Sequence, residues 1–429
     1  LEERILRWVA DRLANRVASS VKFTRGADLG TPSGKVEHAA LNLRVPFCRA
    51  RCPFCAFPGE VYNEQYKKIY IDGLRDELRL YSKFFEGNGN TPTVDRVYLS
   101  GGTPTLLYKE FGEIRGYINE YFPFNGKIAL EASPSDLSDE VLKSIVENGI
   151  TQVSVGIQTF NDALLSRSLG RKGRREELTA VLKKVMDYGF DYVNIDLMFA
   201  LSNQTKEMLI SDLETAAQIG VHGISTYPLM ILPYTTLGKS CSTGKGSKPM
   251  KEIVFDSTDE ARETELYLAI LDTMERASYK LRAIWSFSLK PEAYEGPYEH
   301  DCFIGLGPRA WGMTNNRFTL NSPSTEDYLA TINEGKLPVH ATSEVKNSPV
   351  VKLARNLYHG KVDRTTLKDL EKEDFKLRGL VGLLRLVGLA SWKGDHLRLT
   401  RKALAYGSLA TKKIAVATLT KMDEVLRAG

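Results

Sequence analysis

Three of the chain's five cysteines, Cys48, Cys52 and Cys55, lie in the single stretch VPFCRARCPFCAFPG. Closely spaced thiols can serve as a redox pair or as metal ligands. A two-cysteine redox motif would account only for Cys52 and Cys55. Structural zinc takes four ligands, and the candidates for a fourth, His38 and His222, lie well upstream and far downstream. A cubane iron–sulfur cluster also takes four thiolates, so three would leave one iron open to a ligand that is not protein. The spacing alone leaves cluster and zinc both open. Cys241 and Cys302 stand apart and read as free thiols without a role. So few and so clustered cysteines do not make a disulfide framework, and a reducing cytoplasm is the expected compartment.

The other candidate residues fall at the ends of β-rich runs. VEHAALNLRV (36–45) reads as a strand entering the cysteine loop, and VDRVYLSGG (94–102) ends in glycines. KIALEAS (127–133), TQVSVGIQ (151–158), YVNIDLMFA (192–200) and HGISTYPLM (222–230) read as four more strands. Apolar Ile69, Leu74, Leu78 and Tyr81 predict a helix over 63–85. Helices over 137–149, 175–189 and 205–220 carry Ser138 and Thr205 as N-caps and Gly149, Gly189 and Gly220 as terminators. Strands alternating with helices predict parallel strands with right-handed crossovers: an α/β fold, a partial or full (β/α) barrel, with a doubly wound sheet as the alternative. Ligands bind at the C-terminal ends of such strands. Glu131, Gln158 and Asp196 occupy those ends and could line one cavity.

The 429 residues, 42% of them hydrophobic, suffice for a large core and one or two domains. A net charge of +5 is thin over this length, and no nucleic-acid partner is expected. No apolar run is long enough to span a bilayer. The opening LEERILRWVADRLANRVASSVK reads as an amphipathic helix rather than a signal peptide. The expected organisation is an N-terminal helical segment (1–35), a barrel core (36–230), a region completing barrel and pocket (231–342) and a small C-terminal capping domain (343–429). In the third region KLRAIWSFSL (280–289) adds a strand and HDCFIGLGPRAWG (300–312) reads as a glycine-bearing loop. The last region has the spacing of a helix, strand and wing.

Cys-x3-Cys-x2-Cys after a first strand, with Phe54 before the last cysteine, resembles the signature of radical S-adenosylmethionine (SAM) enzymes. VPFCRARCPFC, YLSGGTPTLL, LEASPSDL, VSVGIQTFNDALL, NIDLMFALSNQT and FIGLGPRAWG follow in the order expected of the oxygen-independent coproporphyrinogen III oxidase group. The resemblance covers about residues 36–312. STYPLM and AIWSFSLKPEAYEGPYEHDCFIGLG look closer to the class C radical SAM methyltransferases, of the menaquinone methyltransferase-like kind.

This resemblance implies a radical SAM barrel, and the spacing of the last region adds a small helical, winged-helix-like C-terminal domain. It implies that Cys48, Cys52 and Cys55 ligate a [4Fe-4S] cluster as the catalytic and metal-binding set, with the cofactor chelating the open iron. It implies that Phe54, Gly101, Gly102, Thr103 and Glu131 face the first SAM molecule, and Gln158, Arg171 and Asp196 a second. Read from residue type alone, Arg171 is a solvated charge and the other polar residues are satisfied buried groups. The expected activity is methyl transfer to an sp2 carbon of a planar hydrophobic acceptor such as a quinone. Tyr227, Trp285, Phe287 and Trp311 are candidates for its pocket, or ordinary core aromatics. The alternatives are tetrapyrrole or haem chemistry and a non-catalytic haem chaperone. An electron donor such as flavodoxin or ferredoxin is implied, and the first helix offers a face for peripheral membrane contact. Three departures bear on the choice: Asn42 and Arg44 stand where the porphyrinogen oxidases carry Tyr and His, and Phe57 where they carry a further Cys. All three argue against coproporphyrinogen decarboxylation.

Overall fold

The computed structural model describes residues 2–26, 29, 35–242, 259–291, 302–314, 316–344, 349–373 and 375–428. After an N-terminal helix, α1 (Glu2–Ser20), the six β-rich runs become β1 (His38–Val45), β2 (Thr93–Gly101), β3 (Phe124–Ala132), β4 (Ile150–Gln158), β5 (Tyr192–Phe199) and β6 (Gly223–Pro228). Each pairs in parallel with the next. Parallel neighbours need a crossover. These are built on α2 (Glu64–Gly87), α3 (Phe111–Tyr121), α4 (Asp139–Glu147), α5 (Arg175–Asp187) and α6 (Lys206–Ile219).

Local chemistry sets the helix ends. The Ser138 hydroxyl accepts from the Val141 amide at 3.3 Å and the Thr205 hydroxyl from Met208 at 3.2 Å. Gly220, at φ 81°, terminates α6 in the left-handed conformation that glycine adopts without strain. In space the six strands keep their chain order. A doubly wound sheet reverses direction at a switch point; this one does not, so its crossovers stack helices on one face only. The alternative is thereby excluded and the core is a partial barrel. Among the described residues no pairing joins the two ends of the sheet.

Residues 280–289 form a hairpin, β7 (Lys280–Ala283) and β8 (Ser286–Ser288), after helix α7 (Glu260–Arg276); β8 runs antiparallel to β6. The loop expected over 300–312 is corrected. Its residues 300 and 301 lie outside the described residues, and Phe303–Leu306 form β9, a seventh parallel strand beside β1. The misleading glycine is Gly305. A Cβ there would lie 2.5 Å from the Trp311 backbone, so glycine marks the close return of the next strand rather than a loop. That strand, β10 (Trp311–Thr314), leads into β11 (Arg317–Asn321), α8 (Thr325–Asn333) and β12 (Val339–Glu344), an antiparallel extension of the sheet.

The C-terminal part comprises α9 (Pro349–Tyr358), β13 (Lys361–Asp363), α10 (Arg364–Glu373), α11 (Phe375–Leu386), β14 (Ala390–Lys393), β15 (His396–Leu399) and α12 (Arg401–Arg427). Its three strands make a small antiparallel sheet, as in a helix–strand–wing unit. Leu353, Val362, Leu384, Leu397 and Leu409 form a second core with Leu6, Leu13 and Val17 of α1. The apolar face of α1 is therefore spent on this core. The long α12 reaches back to the barrel: Lys412 Nζ lies 2.5 Å from Glu263 of α7, and Trp285 Nε1 donates to Ser408 at 2.8 Å. No described helix is long and apolar enough to cross a membrane.

Candidate cofactor site at the strand ends

The chain leaves β1 into the cysteine loop. Cys48 ends a two-residue strand, Phe47–Cys48, that pairs in parallel with Glu60–Val61 and pins the loop at both ends. The Cys55 amide donates to the Cys52 carbonyl at 3.2 Å, and the Phe57 amide to Cys55 Sγ at 3.4 Å. All three thiols are half-buried. Phe54, between them, packs partly into the main core. Burial pushes the Cys52 thiol up and the Cys55 thiol up to about 11.

The glycines after β2 fit tightly against this loop's stem. A Cβ at Gly102 would lie 2.1 Å from the Phe47 carbonyl oxygen, and one at Gly101 would lie 2.7 Å from the Arg44 side chain. Gly101 also has φ 101°, in the region that glycine favours. The Gly102 amide donates to Val45 at 2.7 Å and the Thr103 amide to Phe47 at 2.6 Å. These amides hold the cysteine loop against β2.

Glu131, at the end of β3, accepts from the Tyr98 hydroxyl at 3.1 Å and the Gly101 amide at 3.3 Å. Burial raises its pKa against those donors and the Arg44 charge. Asp196, on β5, accepts from Ser154 at 3.3 Å and Asn194 at 3.2 Å. Burial, and then the charge of Glu131, push it up to about 7. The two carboxylates thus share one barrel mouth. Gln158 sits at φ 72°, a strained position for a side-chain-bearing residue and one that is common at binding sites. Arg171 is no solvated charge. It donates to the Gly156 carbonyl at 2.7 Å and the Ser133 hydroxyl at 3.3 Å, tying the exits of β4 and β3 together with its charge toward Cys52.

Among the described residues no three histidine, cysteine, aspartate or glutamate side chains close into a metal-ligand set. The donor chemistry nevertheless suits an iron–sulfur cluster. Three thiols share one loop, and Gly59 leaves room beside Cys48, where a Cβ would lie 2.8 Å from the sulfur. Arg44 and Arg171 supply positive charge toward the sulfurs. The Cys52 and Cys55 thiols, raised by burial, would be inert on their own, and a bound metal would favour their thiolates.

The family model described as the Radical SAM superfamily matches residues 43–216, from β1 into α6. The match covers the part of the parallel core that carries the cysteine loop, Glu131, Gln158 and Asp196. The heme chaperone HemW of Bacillus subtilis is 27% identical over 310 residues, 71% of this chain and 78% of that protein. The oxygen-independent coproporphyrinogen III oxidase of Helicobacter pylori (strain 26695) is 24% identical over 419 residues, 91% and 87% of the two chains. The solved structure of the Escherichia coli coproporphyrinogen III oxidase HemN, a radical SAM enzyme, superposes with a TM-score of 0.70 at 19% identity, covering 90% of each chain. In fold the chain is thus similar to coproporphyrinogen III oxidase, and in sequence to haem chaperones and coproporphyrinogen III oxidases.

These relatives carry haem or tetrapyrrole names, and none a methyltransferase name. The class C methyltransferase expectation gains nothing from them. Part of the segment behind it, 292–301, lies outside the described residues. The four aromatics do not form one cluster either, since Trp311 packs on a different apolar group from Trp285 and Phe287. Tyr227 packs edge-on to Trp285 at 5.9 Å, Phe287 is buried in the main core, and Trp311 stacks on Phe318 at 5.4 Å beside Met422 and Leu426.

Sequence reasoning missed Tyr98, although its alternation along β2 with Ser100 marked it as inward-facing. It also missed Arg309, Tyr234 and Asp423, which line a pocket together with Arg44 and Phe57. No spacing rule links residues so far apart.

Proposed function

We propose that this radical SAM protein is an enzyme acting on a tetrapyrrole of the haem or porphyrin class, by a reaction other than coproporphyrinogen decarboxylation. The observation that carries this reading is the extent of the likeness to a tetrapyrrole enzyme: it spans 91% of the chain. The departures at the site set the reaction apart. Asn42 is buried between Ser100, whose hydroxyl donates to it at 2.9 Å, and the Trp311 carbonyl at 3.4 Å. Arg44 is buried under Phe57.

Cys48, Cys52 and Cys55 would hold a [4Fe-4S] cluster, which together with SAM supplies a 5′-deoxyadenosyl radical. Glu131, fixed by Tyr98 and the Gly101 amide, presents a carboxylate to the cofactor. Gln158, Arg171 and Asp196 line the same mouth as a candidate place for a second SAM. Asp196, poised near neutrality, can hold or release a proton at its carboxylate in the cradle of Ser154 and Asn194. Helix α12, anchored by Lys412 and Ser408, shields one side of the barrel from water.

The test is an anaerobic incubation of reconstituted, reduced protein with SAM and haem or a porphyrinogen. The expected products are 5′-deoxyadenosine and an altered tetrapyrrole in matched amounts, both lost in Cys48→Ala. Haem binding without deoxyadenosine would make the protein a chaperone. S-adenosylhomocysteine formed in step with a quinone would restore the methyltransferase reading.

A further inference from the structure

We propose that Arg44 and Arg309 form a carboxylate-binding pair that anchors an acidic side arm of the substrate; this rests on the tetrapyrrole reading. The two arginines line one pocket with Phe57, Trp311, Asp423 and Met422. Arg44 projects from β1 and is 6% exposed. Its Nη2 donates to the Phe57 carbonyl at 3.2 Å, whereas its Nε is buried without a hydrogen-bond partner. An orphaned guanidinium N–H in a protein interior is costly, and a charged acceptor is the group that satisfies it best.

Arg309 sits in the turn between β9 and β10 at φ 55°, a conformation unusual for an arginine and held by its amide donating to Ser322 at 2.8 Å. Its Nη2 reaches Asp423 of α12 at 3.2 Å. Asp423 is shared with Arg427, so a single carboxylate serves two guanidiniums and Arg44 adds a third positive charge. Burial, and then the Arg309 charge, disfavour the charged form of Arg44 against the opposing pull of Cys55, Cys48 and Glu131; an anion between the two arginines would add to that pull.

The void is about 20 Å³, room for a water-sized group or the end of a carboxylate, and far too small for a ring system. Phe57, Trp311 and Met422 give it apolar walls. A cationic end with apolar walls fits an amphiphilic molecule that carries a propionate-like arm. Asn42 and the cysteine loop adjoin it, so an arm held here would keep the rest of the ligand at the barrel mouth.

The experiment compares haem with haem dimethyl ester by absorbance titration of the full chain, and measures SAM affinity in parallel. Wild type should prefer the free acid by about tenfold. Arg309→Gln, a partly exposed site that folding should tolerate, should remove most of that preference and leave ester affinity unchanged. Arg44→Lys, which keeps the charge but lacks Nε, should fall between. Propionate should raise the melting temperature of wild type above that in chloride at equal ionic strength, and not that of Arg309→Gln. If neither porphyrin binds but the propionate effect depends on Arg309, the carboxylate site stands and the tetrapyrrole reading falls. Equal affinity for acid and ester, with no Arg309-dependent propionate effect, would overturn the site. So would loss of SAM affinity in Arg309→Gln with the acid preference intact, because the pair would then belong to the cofactor.

Discussion

Replacing Glu77 tests how the seventh parallel strand is locked to the barrel. Glu77 is fully buried on α2. Its carboxyl accepts from the Gly307 amide at 2.8 Å, from Asn321 Nδ2 at 2.9 Å and from the Tyr328 hydroxyl at 2.9 Å. Asn321 also donates to the Gly305 and Gly307 carbonyls, so Glu77→Ala orphans two donors outright, at about 1–3 kcal/mol each. With the cavity added, the expected loss is about 3–6 kcal/mol. Glu77→Gln keeps the volume but turns an amide N–H₂ toward a donor, and should cost about 1 kcal/mol at pH 5.

Burial raises the Glu77 pKa from 4.5 to about 8. Below 4.5 the group is protonated folded or unfolded, and its contribution to stability is fully present. Between 4.5 and about 8 the unfolded chain releases the proton while the native state keeps it, so stability falls as pH rises. Above 8 roughly 5 kcal/mol has been lost from this group. Gln cannot ionise, so its stability curve lacks this slope and should cross that of wild type between pH 5 and 8. Urea unfolding of both proteins across that range measures it. The carboxyls of Asp196 and Glu131 titrate in both proteins and cancel in the difference. Parallel curves, or a loss below 1 kcal/mol in Glu77→Ala, would refute the assignment.

Gly102→Ala should destabilise by about 1–3 kcal/mol, since its Cβ meets the Phe47 backbone rather than a flexible side chain, and should lower iron content after reconstitution. Arg171→Gln should raise the KM for SAM about tenfold with little change in melting temperature, because its bonds tie the exits of β3 and β4 rather than fill the core. Lys412→Met leaves Glu263, 2% exposed, as an unpaired buried carboxylate and should cost about 3–5 kcal/mol. The double variant Lys412→Met/Glu263→Leu should recover most of that loss, read by chemical denaturation.

The sequence by itself determined the parts whose chemistry is local. Alternating strand and helix patterns placed β1 to β6 within a few residues, because periodicity and caps such as Ser138 and Thr205 act over a single turn. The three thiols were legible because all three sit on one short loop. Glu131 and Asp196 were legible because inward-facing residues at strand ends follow from a period of two. Tertiary structure alone decided that β9 is a strand, since its glycine is explained only by the later approach of Trp311. It also decided that α1 belongs with the C-terminal helices, a contact between the two ends of the chain. The pocket of Arg44, Arg309 and Asp423 joins β1, the β9–β10 turn and α12. Its electrostatics depend on distances set by closing three long loops, and no pattern along the chain encodes those distances.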